Sequence, residues 1–85
     1  MPKIFLSKKA EKDFSRLQKK DKERIIKKLE AISLYPLTGK NLKGELKGNY
    51  SLRVWPFRII YAFNTKSSKV IIKKIQHRQG VYKKL

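Results

Sequence analysis

The chain has 85 residues, 23 Lys+Arg against 6 Asp+Glu, a net charge of +17 and no cysteine. That length suits a single domain, spanning 1–85, whose one core is only just sufficient. The missing cysteine excludes disulfides and thiolate metal sites, and no apolar run approaches the ~20 residues of a membrane span, so a soluble, cytoplasmic protein is expected.

Pro2 to Leu6 is short and apolar and reads as a strand. Ser7 can cap a following helix by accepting a free backbone N–H. Ala10, Phe14 and Leu17, spaced by four and three, give that helix one apolar stripe to about Leu17. Asp21 is the expected cap of a second helix, with Ile25, Ile26, Leu29 and Ile32 as its stripe and Pro36 as its stop. The glycine- and lysine-rich stretch "LTGKNLKGELKG" reads as a turn-rich connection.

The period then changes from 3.6 to 2. Tyr50, Leu52 and Val54 alternate with Ser51, Arg53 and Trp55, and Phe57, Ile59, Tyr61 and Phe63 alternate with Arg58, Ile60 and Ala62. Pro56 cannot donate a ladder hydrogen bond and belongs at a strand end, bend or bulge. "NTKSSK" is a turn, and Val70 to Ile75 is the last strand, for which either alternation of Lys73 and Lys74 fits. The expected fold is α+β, in the order β-α-α-β-β-β, with a helical hairpin on one face of a mostly antiparallel sheet. Arg53 and Arg58 then stand on the uncovered face, as a platform able to fork onto phosphate oxygens.

All six acids lie at or before Glu45, and residues 46–85 carry ten Lys/Arg and no carboxylate side chain. Such asymmetry points to a polyanion or an acidic protein as partner, nucleic acid first. The acids are too few and scattered for a two-metal nuclease, one histidine without cysteine does not make a zinc site, and no cofactor motif is present.

Metal-free RNA cleavage survives these exclusions, because RNA brings its own nucleophile, the 2′-hydroxyl. The protein need only align it, stabilise phosphorane charge and move two protons. Arg53, Arg58, His77, Arg78 and Tyr82 are the residues for those tasks if the chain end folds onto the sheet. His77 is the natural proton carrier near neutral pH, although a lone histidine is ordinarily a surface residue. Lys40, Lys43, Lys47, Lys74 and Lys83 are candidate RNA contacts, and Trp55 reads as a structural or partner-contact aromatic.

"YSLRVWPFRIIY" and "HRQGVY", with their order, spacing and total length, resemble the RelE branch of the RelE/ParE toxin superfamily. The resemblance implies a cytoplasmic endoribonuclease that cuts mRNA in the ribosomal A site and is held inactive by a cognate acidic antitoxin. The toxin alone would be a monomer, and a hetero-oligomer with its antitoxin. Arg53 and Arg58 fall on the family's phosphate-binding strand residues, Arg78 on its C-terminal arginine and Tyr82 on its base-orienting tyrosine. His77 occupies a position held by Lys or His in the family. Ser51 departs from the pattern, standing where the best-known members carry a second catalytic lysine. Gly80, where an acid is common, is a smaller departure. The alternatives are a ParE-like, non-catalytic toxin acting on DNA gyrase and a plain basic RNA-binding module.

Overall fold

The computed structural model describes residues 3–41 and 48–77. Its first strand, β1, spans Lys3–Leu6. The Ser7 hydroxyl accepts the Ala10 N–H at 3.0 Å, so helix α1 (Lys8–Ser15) starts where its cap residue predicts. Its end tightens, with Arg16 N–H on the Asp13 carbonyl and Leu17 N–H on the Phe14 carbonyl, two residues short of the expected boundary.

Helix α2 spans Lys19–Leu34, and its N-cap, Gln18, makes no side-chain cap hydrogen bond. Asp21 is therefore not the cap. It sits in the first turn, where its charge suits the positive end of the helix dipole and it pairs with Arg24 at 3.6 Å. Tyr35 leaves helical geometry directly before Pro36, whose ring disfavours a helical predecessor.

Four more strands follow: β2 (Lys40–Asn41), β3 (Asn49–Val54), β4 (Phe57–Asn64) and β5 (Lys69–His77). β2 is a short edge strand inside the stretch expected to be connection only. The sheet order is β1-β5-β4-β3-β2; β1 runs parallel to β5, and the other pairings are antiparallel. Trp55 and Pro56 form the tight connection between β3 and β4 through a cis peptide, so Pro56 lies outside the ladder as expected.

Both helices cover one face of this sheet. Ala10, Ile25 and Ile32 pack with Val54, Phe57, Ile59, Tyr61, Val70, Ile72 and Ile75 in a single buried cluster. Each large aliphatic side chain so buried contributes roughly 1.5–3 kcal/mol. Tyr61 is the polar member. Its hydroxyl donates to the Pro36 carbonyl at 2.8 Å and accepts the Gly39 N–H at 2.9 Å, tying the end of α2 to the sheet. Burial pushes its pKa above the ordinary value of 10.0, against the opposing pull of the Gly39 hydrogen bond. Gly39 must lack a side chain, since a Cβ there would stand 2.7 Å from the Tyr61 oxygen.

The last strand resolves the question of alternation. Ile60 pairs with Lys74 but Tyr61 pairs with Ile72, so Lys73 is an extra residue in β5 and forms a bulge. Val70 and Ile72 on one side of the bulge, and Ile75 and His77 on the other, therefore all face the helices. Helix α1 satisfies the strand's polar groups here, past the end of β1. The Ser7 hydroxyl donates to the Lys73 carbonyl at 2.7 Å, and the Asp13 carboxylate accepts the Ile75 N–H at 3.0 Å and the Lys9 ammonium at 2.7 Å.

Candidate nucleic-acid interface

The alternation of β3 and β4 leaves one side-chain set on the face away from the helices. Arg53 and Arg58 are direct cross-strand partners on it. Both are exposed, and the row continues to Gln76 on β5. A second row runs Lys40, Ser51, Ile60 and Lys74, and a third runs Asn49, Ala62, Ile71 and Phe5. Lys69 and Lys3 follow beside Asn64. None of the described strands contains an acidic residue.

Like charges directly opposite each other on a sheet destabilise it. No carboxylate stands nearby on these strands to relieve the Arg53–Arg58 pair, so the arrangement is suited to an anion from outside. Two guanidiniums side by side present planar, fixed forks that match phosphate oxygens better than ammonium groups do. Lys74 adds a third cation one row away, so the alternation of β5 that presents Lys74 to this face is the one the bulge selects.

His77 does not join this group. It pairs with Phe57 on the helix-covered face, and its ring meets the Phe57 ring edge-on at a centroid distance of 5.0 Å. The expectation that His77 stands with the arginines is corrected by that geometry: the sheet lies between them. His77 instead lines a groove of about 850 Å³ between β5 and the α1–α2 turn, with Asp13, Arg16, Gln18, Asp21 and Phe57. Among the described residues no cluster of three His, Asp or Glu side chains could hold a metal ion, and no helix is long and apolar enough to cross a membrane. Arg78, Tyr82, Lys43, Lys47 and Lys83 lie outside the described residues. Lys40 sits at the open edge of the second row.

Trp55 is exposed at the β3–β4 turn, and its backbone carbonyl accepts a hydrogen bond from the Arg24 guanidinium. Phe5 and Ile71 join this face outside the set of residues expected from the sequence. The segment "KIFL" carries the signal, since inward Ile4 and Leu6 turn Phe5 outward.

Comparison with known proteins gives this arrangement its context. Residues 4–82 match the family described as the ParE toxin of type II toxin–antitoxin systems. The chain belongs to that family, which is described as one of type II toxins, within the RelE/ParE superfamily. Toxin RelG of Mycobacterium tuberculosis is 33% identical over 54 residues, and the match spans 62% of this chain and 62% of that relative.

Among solved structures, a RelBE toxin–antitoxin complex from M. tuberculosis superposes with a TM-score of 0.84 at 26% identity, covering 92% of this chain and 100% of the matched chain. The isolated Escherichia coli RelE toxin superposes with a TM-score of 0.80 over all of both chains, at 18% identity. The second likeness is one of fold: two helices on a mixed five-stranded sheet.

Proposed function

We propose that the protein is a cytoplasmic, metal-independent endoribonuclease that cuts mRNA on the ribosome and so stops translation. One observation carries this reading: Arg53 and Arg58 stand opposite each other on a sheet face whose strands hold no acid. In the proposed reaction the 2′-hydroxyl of the RNA gives its proton to solvent water and its oxygen attacks the adjacent phosphorus. The bond from phosphorus to the 5′-oxygen breaks, and that oxygen takes up a proton from solvent. The products are a 2′,3′-cyclic phosphate and a 5′-hydroxyl.

Arg53 and Arg58 would hold the non-bridging oxygens and offset the phosphorane charge, a contribution of a few kcal/mol per well-placed donor. Arg78 and Tyr82 keep the roles their resemblance to the family implies, leaving-group or phosphate stabilisation and base orientation. Lys40 and Lys74 would contact flanking phosphates. His77, placed behind the sheet against Phe57, acts in this reading as a positioning residue rather than as acid or base.

The neighbouring structures that are toxin–antitoxin complexes support a cognate antitoxin for this chain as well. Its surface should be acidic, to meet a charge of +17. Binding it would stabilise so small a domain by mass action.

The test is a translating extract with a defined mRNA. Cleavage within ribosome-bound codons, leaving a 5′-hydroxyl on the downstream fragment and abolished by 2′-deoxy substitution at the cut, is the expected result. Fragments bearing 5′-phosphates would overturn the mechanism. The family match and the uncharged Ser51 in the row next to the arginines favour one alternative, a non-catalytic toxin acting on DNA gyrase. Intact mRNA together with inhibited DNA supercoiling would identify it.

A further inference from the structure

The third row of the open face ends in three apolar residues, Ala62, Ile71 and Phe5, and the charged side chains beside them among the described residues, Lys3, Lys66, Lys69 and Lys73, are all positive. Phe5 on β1 and Ile71 on β5 are register partners, 45% and 39% exposed, and Ala62 continues the row. The Lys69 ammonium lies 5.6 Å from the centroid of the Phe5 ring. Lys3 is Lys69's own partner across the strands. A shallow hollow of about 420 Å³ lined by Ala62, Asn64, Lys66, Ile71 and Lys73 adjoins the row.

An exposed ring whose charged neighbours among the described residues are all cations is a good place for an aromatic anion. A nucleotide base is flat and apolar on its faces, and its phosphates lie to either side. Two strand spacings separate β4 from β1, and four residues separate Arg58 from Ala62. By sheet geometry Phe5 is therefore about 16 Å from Arg58. That gap spans a few nucleotides of extended single strand, and the row Lys40, Ser51, Ile60 and Lys74 crosses it. A paired duplex cannot use Phe5 in this way, because its base faces are already stacked.

We propose that Phe5, backed by Ile71 and flanked by Lys69 and Lys73, is a second nucleotide-binding subsite. It stacks an unpaired base a few nucleotides away from the phosphate held by Arg53 and Arg58. The proposal rests on the nucleic-acid reading of the open face but not on cleavage. It makes the sheet a diagonal track, with phosphate recognition at one corner and base stacking at the other.

The test is binding of the full chain to single-stranded, 2′-deoxy-substituted oligonucleotides of increasing length, read by anisotropy and compared with a duplex of the same sequence. Phe5→Ala should weaken binding to the longer single strands roughly ten-fold, since stacking is worth about 1–3 kcal/mol per base. Short strands and the duplex should be unaffected. Phe5→Trp should restore the loss. Phe5→Leu, which keeps apolar bulk without a ring, should not. Unfolding midpoints close to wild type in all three variants exclude a folding artefact.

Equal affinity of Phe5→Ala and wild type for every length would overturn the subsite. So would an equal loss for single strand and duplex. Unchanged oligonucleotide binding with weakened binding of an acidic partner protein would also overturn it, and would assign the patch to protein docking. Loss of cleavage in Arg58→Ala alongside unaltered binding in Phe5→Ala would leave the nuclease reading standing without the subsite. Intact mRNA with the stacking effect present would do the reverse.

Discussion

Arg53 and Arg58 face each other across the β3–β4 ladder, two fixed positive charges as direct partners where a sheet ordinarily avoids them. The fold gives up some stability to hold a binding geometry, so stability and function should move in opposite directions at these positions. Arg53→Glu should raise the unfolding midpoint by creating an opposite-charge pair with Arg58. Arg58→Ala should leave the midpoint unchanged or slightly higher. Both should lower the cleavage rate by about 10²–10³-fold, the usual cost of removing a preorganised donor to a developing oxyanion. Denaturation curves and cleavage rates measured on the same preparations decide it, and parallel losses of both would show the arginines to be structural.

His77 should separate the other way. Its ring packs edge-on against Phe57, a contact worth roughly 0.5–1.5 kcal/mol. His77→Ala should therefore lower stability by about that amount and leave cleavage within a few-fold of wild type. His77→Phe, which keeps an edge-on ring, should restore the midpoint. A collapse of cleavage in a stably folded His77→Phe would return the residue to catalysis.

Tyr61 sets a pH dependence. Burial raises its pKa in the folded protein above the value of 10.0 it has when exposed, so the folded state holds the phenolic proton more tightly. The resulting stability is fully present below about pH 10 and is lost as pH rises through the folded value. Tyr61→Phe removes this contribution and also strands the Gly39 N–H and Pro36 carbonyl, at about 1–3 kcal/mol. The variant should be less stable at neutral pH, and above pH 10 its stability should fall less steeply than that of the wild type.

Asp13 supports the bulge. Its carboxylate accepts the Ile75 N–H from the strand and the Lys9 ammonium from its own helix. Asp13→Ala leaves a strand donor without its acceptor and should cost about 1.5–3 kcal/mol. Asp13→Asn keeps an acceptor and should cost less. Hydrogen exchange at the Ile75 amide gives a local readout, with protection falling in Asp13→Ala before the rest of the sheet is affected.

Much of this architecture can be read from local pattern. Ser7 announces its helix, Pro36 ends one, and strict alternation in "YSLRV" and "FRIIYAF" puts Arg53 and Arg58 together on the outer face. What could not be read depends on register. The two residues of β2 carry no pattern of their own and are strand only because β3 offers an edge. Asp21 has the chemistry of a cap, but α2 begins at Lys19, where the packing of Ile25 and Ile32 into the core fixes its phase. His77 adjoins Arg78 in sequence, which suggests a place beside the arginines. Its face is decided instead by one extra residue three positions before Gln76.

That extra residue, Lys73, means that odd and even positions exchange meaning partway along β5. Before it, even-numbered residues point to the helices; after it, odd-numbered ones do. Aligning this strand with a relative that runs straight requires the gap to open at Lys73. A gap placed elsewhere transfers an interior role to a surface residue, or a surface role to an interior one, for every position in between. The hydroxyl of Ser7 and the carboxylate of Asp13 mark where the frame changes, so those two side chains are a more reliable guide to equivalent positions than the lysines between them.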